Sequence, residues 1–428
     1  MQLHSAPKFL GRGMHRVIAP AETLRRIRPL ARQAGVTRLA DITGLDRVGI
    51  PTYSAVVPRS RDLLSVYNGK GATHADAACG ALMEAIERHS ALEMRRPMVR
   101  GSFRKLRRRR RVLDPRRISY QPAPGYTDDT VVHWVEGFDI AGREPLLVPA
   151  RAAGYMLGDD GGPACYEVIT SNGLASGNTL EEAICHGLCE VIERDAWTLA
   201  DLAGHWLPLW KHERQPAEGP FHDDVERYPE IDLAGAGPAI GRMLRRFENA
   251  QVRIRVKDIT SDIGVPTVAA SAIEDGPIPM AHLGFGAHPD TQVAIGRAIS
   301  ELAQSRVVDI QGVREDISGP DELVPSYMHH VKRVSQINRQ SWYHHPTARR
   351  RRWREIGGAV HGDILDDIHF MLTKLGARGL AQTIVVDLTS AELGVPVVRV
   401  LVPGLESWAA DHSLIGRRAA QLWQEHDA

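Results

Sequence analysis

The strongest constraint on this chain is that it repeats itself. Gly71–Arg88, GATHADAACGALMEAIER, lies in register with Gly177–Arg194, GNTLEEAICHGLCEVIER, and Gly, Thr, Ala, Cys, Leu, Glu, Ile, Glu and Arg recur at matching positions. A weaker third copy, AIGRAISELAQSR, sets Ala294 against Ala77 and Ala183, Glu301 against Glu84 and Glu190, and Gln304 against Glu87 and Glu193. Each copy reads as a glycine loop running into a helix. Positions i and i+3 are neighbours on a helix, so each helix presents E-x-x-E or E-x-x-Q on one face. The copies lie too far apart for a solenoid, so the expectation is three related units around a shared centre.

The middle copy belongs to a longer stretch, Ser171–Ala196, SNGLASGNTLEEAICHGLCEVIERDA. Gly173, Gly177 and Asn178 form a loop whose backbone amides can approach a ligand. Thr179 is placed to cap the helix, and Glu182 three residues on completes a capping box. Glu182, His186, Glu190 and Glu193 then share one face. Stacked carboxylates repel each other unless a cation neutralises them, so this face reads as a cation site. A single E-x-x-E-R helix is explained cheaply by surface salt pairing; three copies in register are not. His186 is read as a packed polar residue in preference to a proton shuttle. Cys185 and Cys189 could share a metal with His186, but a pair of buried thiols is the favoured reading.

A nucleotide with Mg2+ needs several hard oxygen ligands converging from different elements. Glu84, Glu87, Glu182, Glu190 and Glu193 can supply them, and Lys70, Arg88, Arg194 and Arg297 are candidates for phosphate. There is no Walker A sequence and no convincing kinase or Rossmann loop, so a nucleotide site here is of a different kind.

Around these units the chain shows mixed helix and strand signals. A helix is expected over Ala21–Gln33, two strands in VTRLADITGLDRVGIPTYSAVVP, and a glycine loop at Ser65–Thr73 before a helix over His74–Arg95. HLGFGAHPDTQ reads as another glycine loop, GDDGGP as a surface loop, and PLWKHERQPAEGPFHDDVERYP as irregular. Residues 320–360 show no period. TIVVDLTS and VPVVRVLVP are apolar runs of the doubly buried strand type. The 428 residues suggest more than one lobe, and a net charge of +1 disfavours nucleic acid as a partner despite the Arg107–Arg111 run. That run reads equally as a solvated loop or a docking surface for an acidic partner. No apolar stretch is long enough to span a bilayer and no signal peptide is visible, so the expected location is cytoplasmic.

GKGAT, LMEAIER, the long central stretch and RAISELAQSR resemble the YcaO family in order and spacing, over roughly Arg59 to Pro403. The resemblance implies an α/β fold of the α+β type, with three glycine-loop/helix units around a central nucleotide site and no P-loop. It implies an N-terminal segment over 1–58, a catalytic domain over 59–403 and a tail over 404–428. It also implies ATP and Mg2+ as cofactors and phosphorylation of a peptide-backbone amide oxygen. Carried over by residue, the metal ligands are Glu84, Glu87, Glu182, Glu190 and Glu193. Asn178 and Arg194 match the phosphate contacts, and Arg297 or Arg306 a further one. The tail QLWQEHDA departs from the proline-rich ending of azoline-forming members, and the N-terminal segment is similar to the TfuA-associated branch. That branch installs thioamides with a TfuA-like partner, on a peptide or protein substrate such as a ribosomal peptide natural product. An azoline cyclodehydratase and a non-catalytic peptide-binding component are the alternatives, and a homodimer is compatible with either.

Overall fold

The computed structural model describes the chain except for residues 10–15, 59, 63, 156–162, 168–169, 209–222, 275–279, 313–340, 412–413 and 428. The surface loop expected at GDDGGP, most of the irregular segment after Leu207 and the first half of 320–360 lie outside the described residues.

Three sheets form the frame. The first is antiparallel, in the order β1 (Arg38–Asp41), β2 (Thr52–Val56), β3 (Val66–Lys70). The second runs β4 (Val99–Ser102), β5 (Val131–Asp139), β13 (Ile384–Asp387), β14 (Val397–Leu401), β7 (Leu174–Ser176), with β6 (Glu144–Pro149) also on β5. The third runs β11 (Met280–Ala287), β10 (Thr267–Glu274), β9 (Ile254–Asp258), β8 (Glu230–Asp232), β12 (Arg350–Arg352), and only β12 with β8 is parallel in it.

Among the described residues, helices of two turns or more are α1 (Pro20–Ile27), α2 (His74–Leu92), α3 (Leu180–Asp201), α4 (Pro238–Asn249), α5 (Thr291–Gly312), α6 (Ile364–Gly376) and α7 (Arg417–Asp427). The helix expected over Ala21–Gln33 is split. α1 stops at Ile27 and a 3-10 turn follows at Arg28–Leu30, because Pro29 has no N–H to continue the ladder.

The apolar runs near the C-terminus occupy the middle of the molecule. In β13 and β14, Ile384, Val386, Val397 and Leu401 face one core, with α2 and the first sheet beyond it. Val385, Val398 and Val400 face the other, against α3 and α6. A strand buried on both faces needs no polar alternation, hence the unbroken run.

The repeat is real in three dimensions but begins differently from expectation. In each unit an edge strand runs through the residues read as a glycine loop: β3 leads into α2, β7 into α3, and β11 into α5, with Gly173, Gly177 and Asn178 flanking the short β7. The glycines serve close packing of strand on helix. A Cβ at Gly69 would lie 2.0 Å from Ala77 O, and one at Gly284 2.2 Å from Leu302 N. Alternating backbone in β3 and β11 can approach a helix this closely only where one face lacks side chains. Thr73 and Asp76 form a complete capping box on α2, whereas on α3 only half forms. Thr179 accepts from the Glu182 amide, but the Glu182 carboxylate is engaged elsewhere.

Neither terminal segment stands apart. β1 and β2, from the 1–58 segment, complete the sheet of β3, so a boundary at 58 cuts through hydrogen-bonded strands. In the tail, Arg418 of α7 donates to both oxygens of the buried Asp195 on α3 at 2.9 Å, and Glu406 accepts from the Ala419 amide. No helix among the described residues is long and apolar enough to cross a membrane.

Candidate active site

A cavity of about 800 Å³ opens where α2, α3 and α5 converge, within the range of small-molecule sites. α2 supplies Glu84, Glu87 and Arg88 to its wall; α3 supplies Glu182, Glu190, Glu193 and Arg194; α5 supplies Arg297, Glu301 and Gln304. Lys70, at the end of β3, and Asn178, in the turn before α3, line it too. The repeat therefore does what its register implied: equivalent positions of three helices face one space.

Arg306 is the exception among the residues singled out in the sequence. It lies outside the cavity, 1% exposed, and its guanidinium pairs with Asp46 at 3.0 Å and Glu274 at 3.0 Å. It joins α5 to the loop between β1 and β2, and Arg297 is the arginine of this helix that reaches the site. Removing one partner of a buried ion pair strands the others, at about 3–5 kcal/mol. Arg306→Ala is therefore expected to lower the urea-unfolding free energy by that amount while leaving nucleotide affinity of the folded protein unchanged.

The carboxylates are strongly perturbed. Burial, with repulsion from Glu84 and Glu190, pushes the Glu87 carboxyl up to about 8 even though Arg88 works against the shift. Burial and the neighbouring Glu301 push Glu193 up to about 7. Burial raises Glu84 too. Glu301 moves the other way: burial opposes its charge, but Lys70 and Arg194 beside it hold it below the ordinary carboxylate range. The Lys70 ammonium lies 2.5 Å from Glu301 and so ties the first unit to the third. Gln304 donates to the Asn68 carbonyl and makes a second tie.

Fixed partners hold several of these groups. Ser176 donates to Glu87 at 3.1 Å, the Ala287 amide to Glu193 at 3.0 Å, and the Phe285 amide to Glu301 at 3.2 Å. Glu190 has no hydrogen bond or ion pair among the described residues and is half-buried at the cavity wall. Glu182 is the most engaged. Its carboxylate accepts from Asn178 Nδ2, from Arg16 and from the Val17 amide, while Thr23 donates to Asn178 Oδ1 at 2.8 Å. The N-terminal segment thus reaches into the site through Arg16 and Thr23, which carry no motif that sequence reading could have used. His186 is pushed well below its ordinary range by burial and by Arg297 and Arg16. It is neutral near pH 7, in keeping with a packed polar residue.

These residues fit Mg2+ and a phosphate chain. Glu84, Glu87, Glu190 and Glu193 are oxygen donors crowded enough to repel one another, which suits a hard divalent cation. Burial disfavours the Arg88 charge, yet Glu87 and Glu84 keep it firmly protonated, and its Nε and Nη1 are buried without a hydrogen-bond acceptor among the described residues. Unfilled guanidinium donors at a cavity wall match phosphate oxygens. Arg399, inside the apolar β14, lies behind this cluster. It is fully buried and donates to the carbonyls of Ala153, Gly154 and Asn172, with Glu190 and Glu87 among the charges it feels.

Comparison with known proteins identifies the family of the chain. A family described as YcaO cyclodehydratase, ATP- and Mg2+-binding, matches residues 68–406. An uncharacterized protein of Methanothermobacter thermautotrophicus is 36% identical over 95% of this chain and 99% of its own length. An uncharacterized protein in the tfuA 3' region of Rhizobium leguminosarum bv. trifolii is 33% identical, covering 91% of this chain and 88% of its own. Among solved structures, YcaO from Methanopyrus kandleri bound with AMPPCP and Mg2+ superimposes with a TM-score of 0.69 at 26% identity, over 96% of this chain and 98% of that one. A heterocyclase in complex with substrate and cofactor shares the fold, with a TM-score of 0.74 at 23% identity. The match covers 95% of this chain, which spans 54% of that longer one. By its repeated helices, its carboxylate-lined cavity and these matches, the chain belongs to the YcaO family, whose members bind ATP and Mg2+.

Proposed function

We propose that this protein phosphorylates a backbone amide oxygen of a peptide or protein at the expense of ATP, and that sulfide then replaces the phosphorylated oxygen to give a thioamide. The observation that carries the first half is the convergence of Glu84, Glu87, Glu190 and Glu193 with Arg88, Arg194 and Arg297 in one cavity. An amide oxygen is a weak nucleophile and an amide carbon a weak electrophile. Phosphoryl transfer to the oxygen turns it into a leaving group, and a nucleophile at the carbon then expels phosphate.

Such a reaction asks the protein for position and charge neutralisation rather than for a nucleophile of its own. Glu84, Glu87, Glu190 and Glu193 would hold Mg2+, which when bound shields the phosphate oxygens and draws charge from the transferring group. Arg88, with Nε and Nη1 unfilled, and Arg297 would take phosphate oxygens. Asn178 and Arg194 would complete the contacts, and Lys70 would exchange Glu301 for phosphate.

Sulfur as the nucleophile, with a TfuA-like protein delivering it, is supported by the relative whose name places it in the tfuA 3' region. The second reading is closure of a neighbouring Cys, Ser or Thr side chain onto the activated amide, the chemistry that the word cyclodehydratase denotes. Intact-mass measurement separates them. Candidate peptides incubated with the protein, Mg·ATP, sulfide and a TfuA-like partner should gain the mass difference between sulfur and oxygen. Loss of one water, independent of sulfide, would sink the thioamide reading in favour of cyclodehydration. ATP left unconsumed with every peptide would favour a non-catalytic binding component.

A further inference from the structure

Cys185 and Cys189 lie one turn apart on α3 and are 7% and 1% exposed. The residue they meet is not His186, on their own helix, but His288, from the turn between β11 and α5. The two sulfurs and a ring nitrogen of His288 all lie within 4.8 Å of one another. Asp367 of α6 stands beside this cluster rather than in it, its Oδ1 paired with His361 Nδ1 at 2.8 Å. Asp367 is fully buried, and its Oδ2 lies 3.8 Å from His288 Nε2 without a hydrogen bond among the described residues. Lys8 Nζ approaches the same oxygen to 2.6 Å, in a geometry that makes an ion pair but no hydrogen bond.

We propose that Cys185, Cys189 and His288 form a zinc site on the wall of the cavity, separate from the oxygen-lined Mg2+ site, with Asp367 beside His288 as the carboxylate for the fourth position. Two sulfurs, one imidazole and one carboxylate are the donor types that tetrahedral zinc takes, and thiolates discriminate against Mg2+. Two thiolates and a carboxylate carry three negative charges, which the divalent ion and the buried Lys8 ammonium balance. His288 Nδ1 now accepts from the Asp290 amide at 2.9 Å. Ligation through Nε2 moves the ring proton to Nδ1 and gives up that one neutral bond, a small loss beside two metal–thiolate bonds. Three protein donors are already together, and Asp367 in the fourth position would close the coordination sphere as in structural sites. It cross-links α3, the head of α5 and α6, and fixes the rotation of the helix that carries Glu190 and Glu193.

The test uses the full-length chain, stripped of metal and titrated with Co2+. The expected result is one equivalent bound, with a thiolate-to-cobalt charge-transfer band and the intense visible bands of a tetrahedral site. Excess Mg2+ should not displace it. Cys189→Ser and Asp367→Asn should each weaken Co2+ and Zn2+ binding by at least about 100-fold, since even outer-shell losses reach that scale. Cys79→Ser and Cys165→Ser should change nothing. A wild-type titration without the charge-transfer band overturns the site, as does a band of unchanged intensity and affinity in Cys189→Ser. The wild-type spectrum decides the matter even where a variant fails to fold.

Discussion

Glu190→Gln leaves the fold intact and lowers peptide-dependent ATP turnover by about 100-fold or more, the loss expected when a carboxylate that holds the catalytic cation is neutralised. The fold tolerates the change because Glu190 has no hydrogen bond or ion pair among the described residues and is only half-buried. Its charge also raises Glu84 and Glu87, so removing it relieves repulsion. Glu193 is a poorer probe. It accepts from the Ala287 amide, and its loss mixes a structural effect with a chemical one. Steady-state phosphate release at saturating Mg·ATP, read beside the thermal midpoint, makes the distinction. Unchanged turnover in Glu190→Gln would remove this residue from the metal site, and a collapsed midpoint would show that its role is structural.

The second large effect is on stability against pH. Glu87 titrates at about 8 in the fold and near 4.5 as a free carboxylate. Below 4.5 both states hold the proton. Between these values the unfolded chain has lost its proton and the folded protein keeps it. Metal-free stability therefore falls as pH rises from about 4.5 to about 8, and Glu193 adds a similar fall up to about 7. Glu87→Gln keeps an oxygen to accept from Ser176 and removes the titration. At pH 8 without metal it should be more stable than wild type by on the order of 2–4 kcal/mol, and its pH profile should flatten. Mg2+ with a nucleotide should stabilise wild type more at pH 8 than at pH 6, because at pH 6 the cation competes with the Glu87 proton. Denaturant melts across this range, with and without Mg·AMPPCP, read all three expectations. A more stable wild type at pH 8 would mean that Glu87 is ionised in the empty site.

The site was legible in the sequence where chemistry and period coincide. Glu84, Glu87, Glu190, Glu193 and Arg297 were visible because a helix brings i and i+3 together and because the pattern occurs three times. The doubly buried strands were visible because burial on both faces leaves an unbroken apolar run. What stayed hidden depends on contacts between distant segments. The glycines before each helix look like a ligand loop, since sequence alone does not distinguish a glycine that makes room for phosphate from one that makes room for a helix. Gly69 and Gly284 are of the second sort. Arg306 has the same local setting as Arg297, and only the position of Asp46 and Glu274 decides that it pairs inside the fold. Arg16, Thr23 and His288 meet α3 from far along the chain, and nothing in their own neighbourhoods announces it. Even the arginine in VPVVRVLVP, apparently out of place, is explained by three carbonyls that no local pattern reveals.

The pairing of β7 with β14 sets a timetable. Leu174, Ala175 and Ser176 find their strand partners only in Arg399, Val398 and Val397, and the Gly177 amide donates to Pro396. A ribosome delivers every carboxylate of the cavity, Glu84 through Glu301, well before it delivers that strand. Until then the turn bearing Asn178 lacks its strand partner and is held only by contacts such as those of Thr23 and Arg16. A chain that stops short of Pro396 thus carries the carboxylates without the strand that pairs with β7.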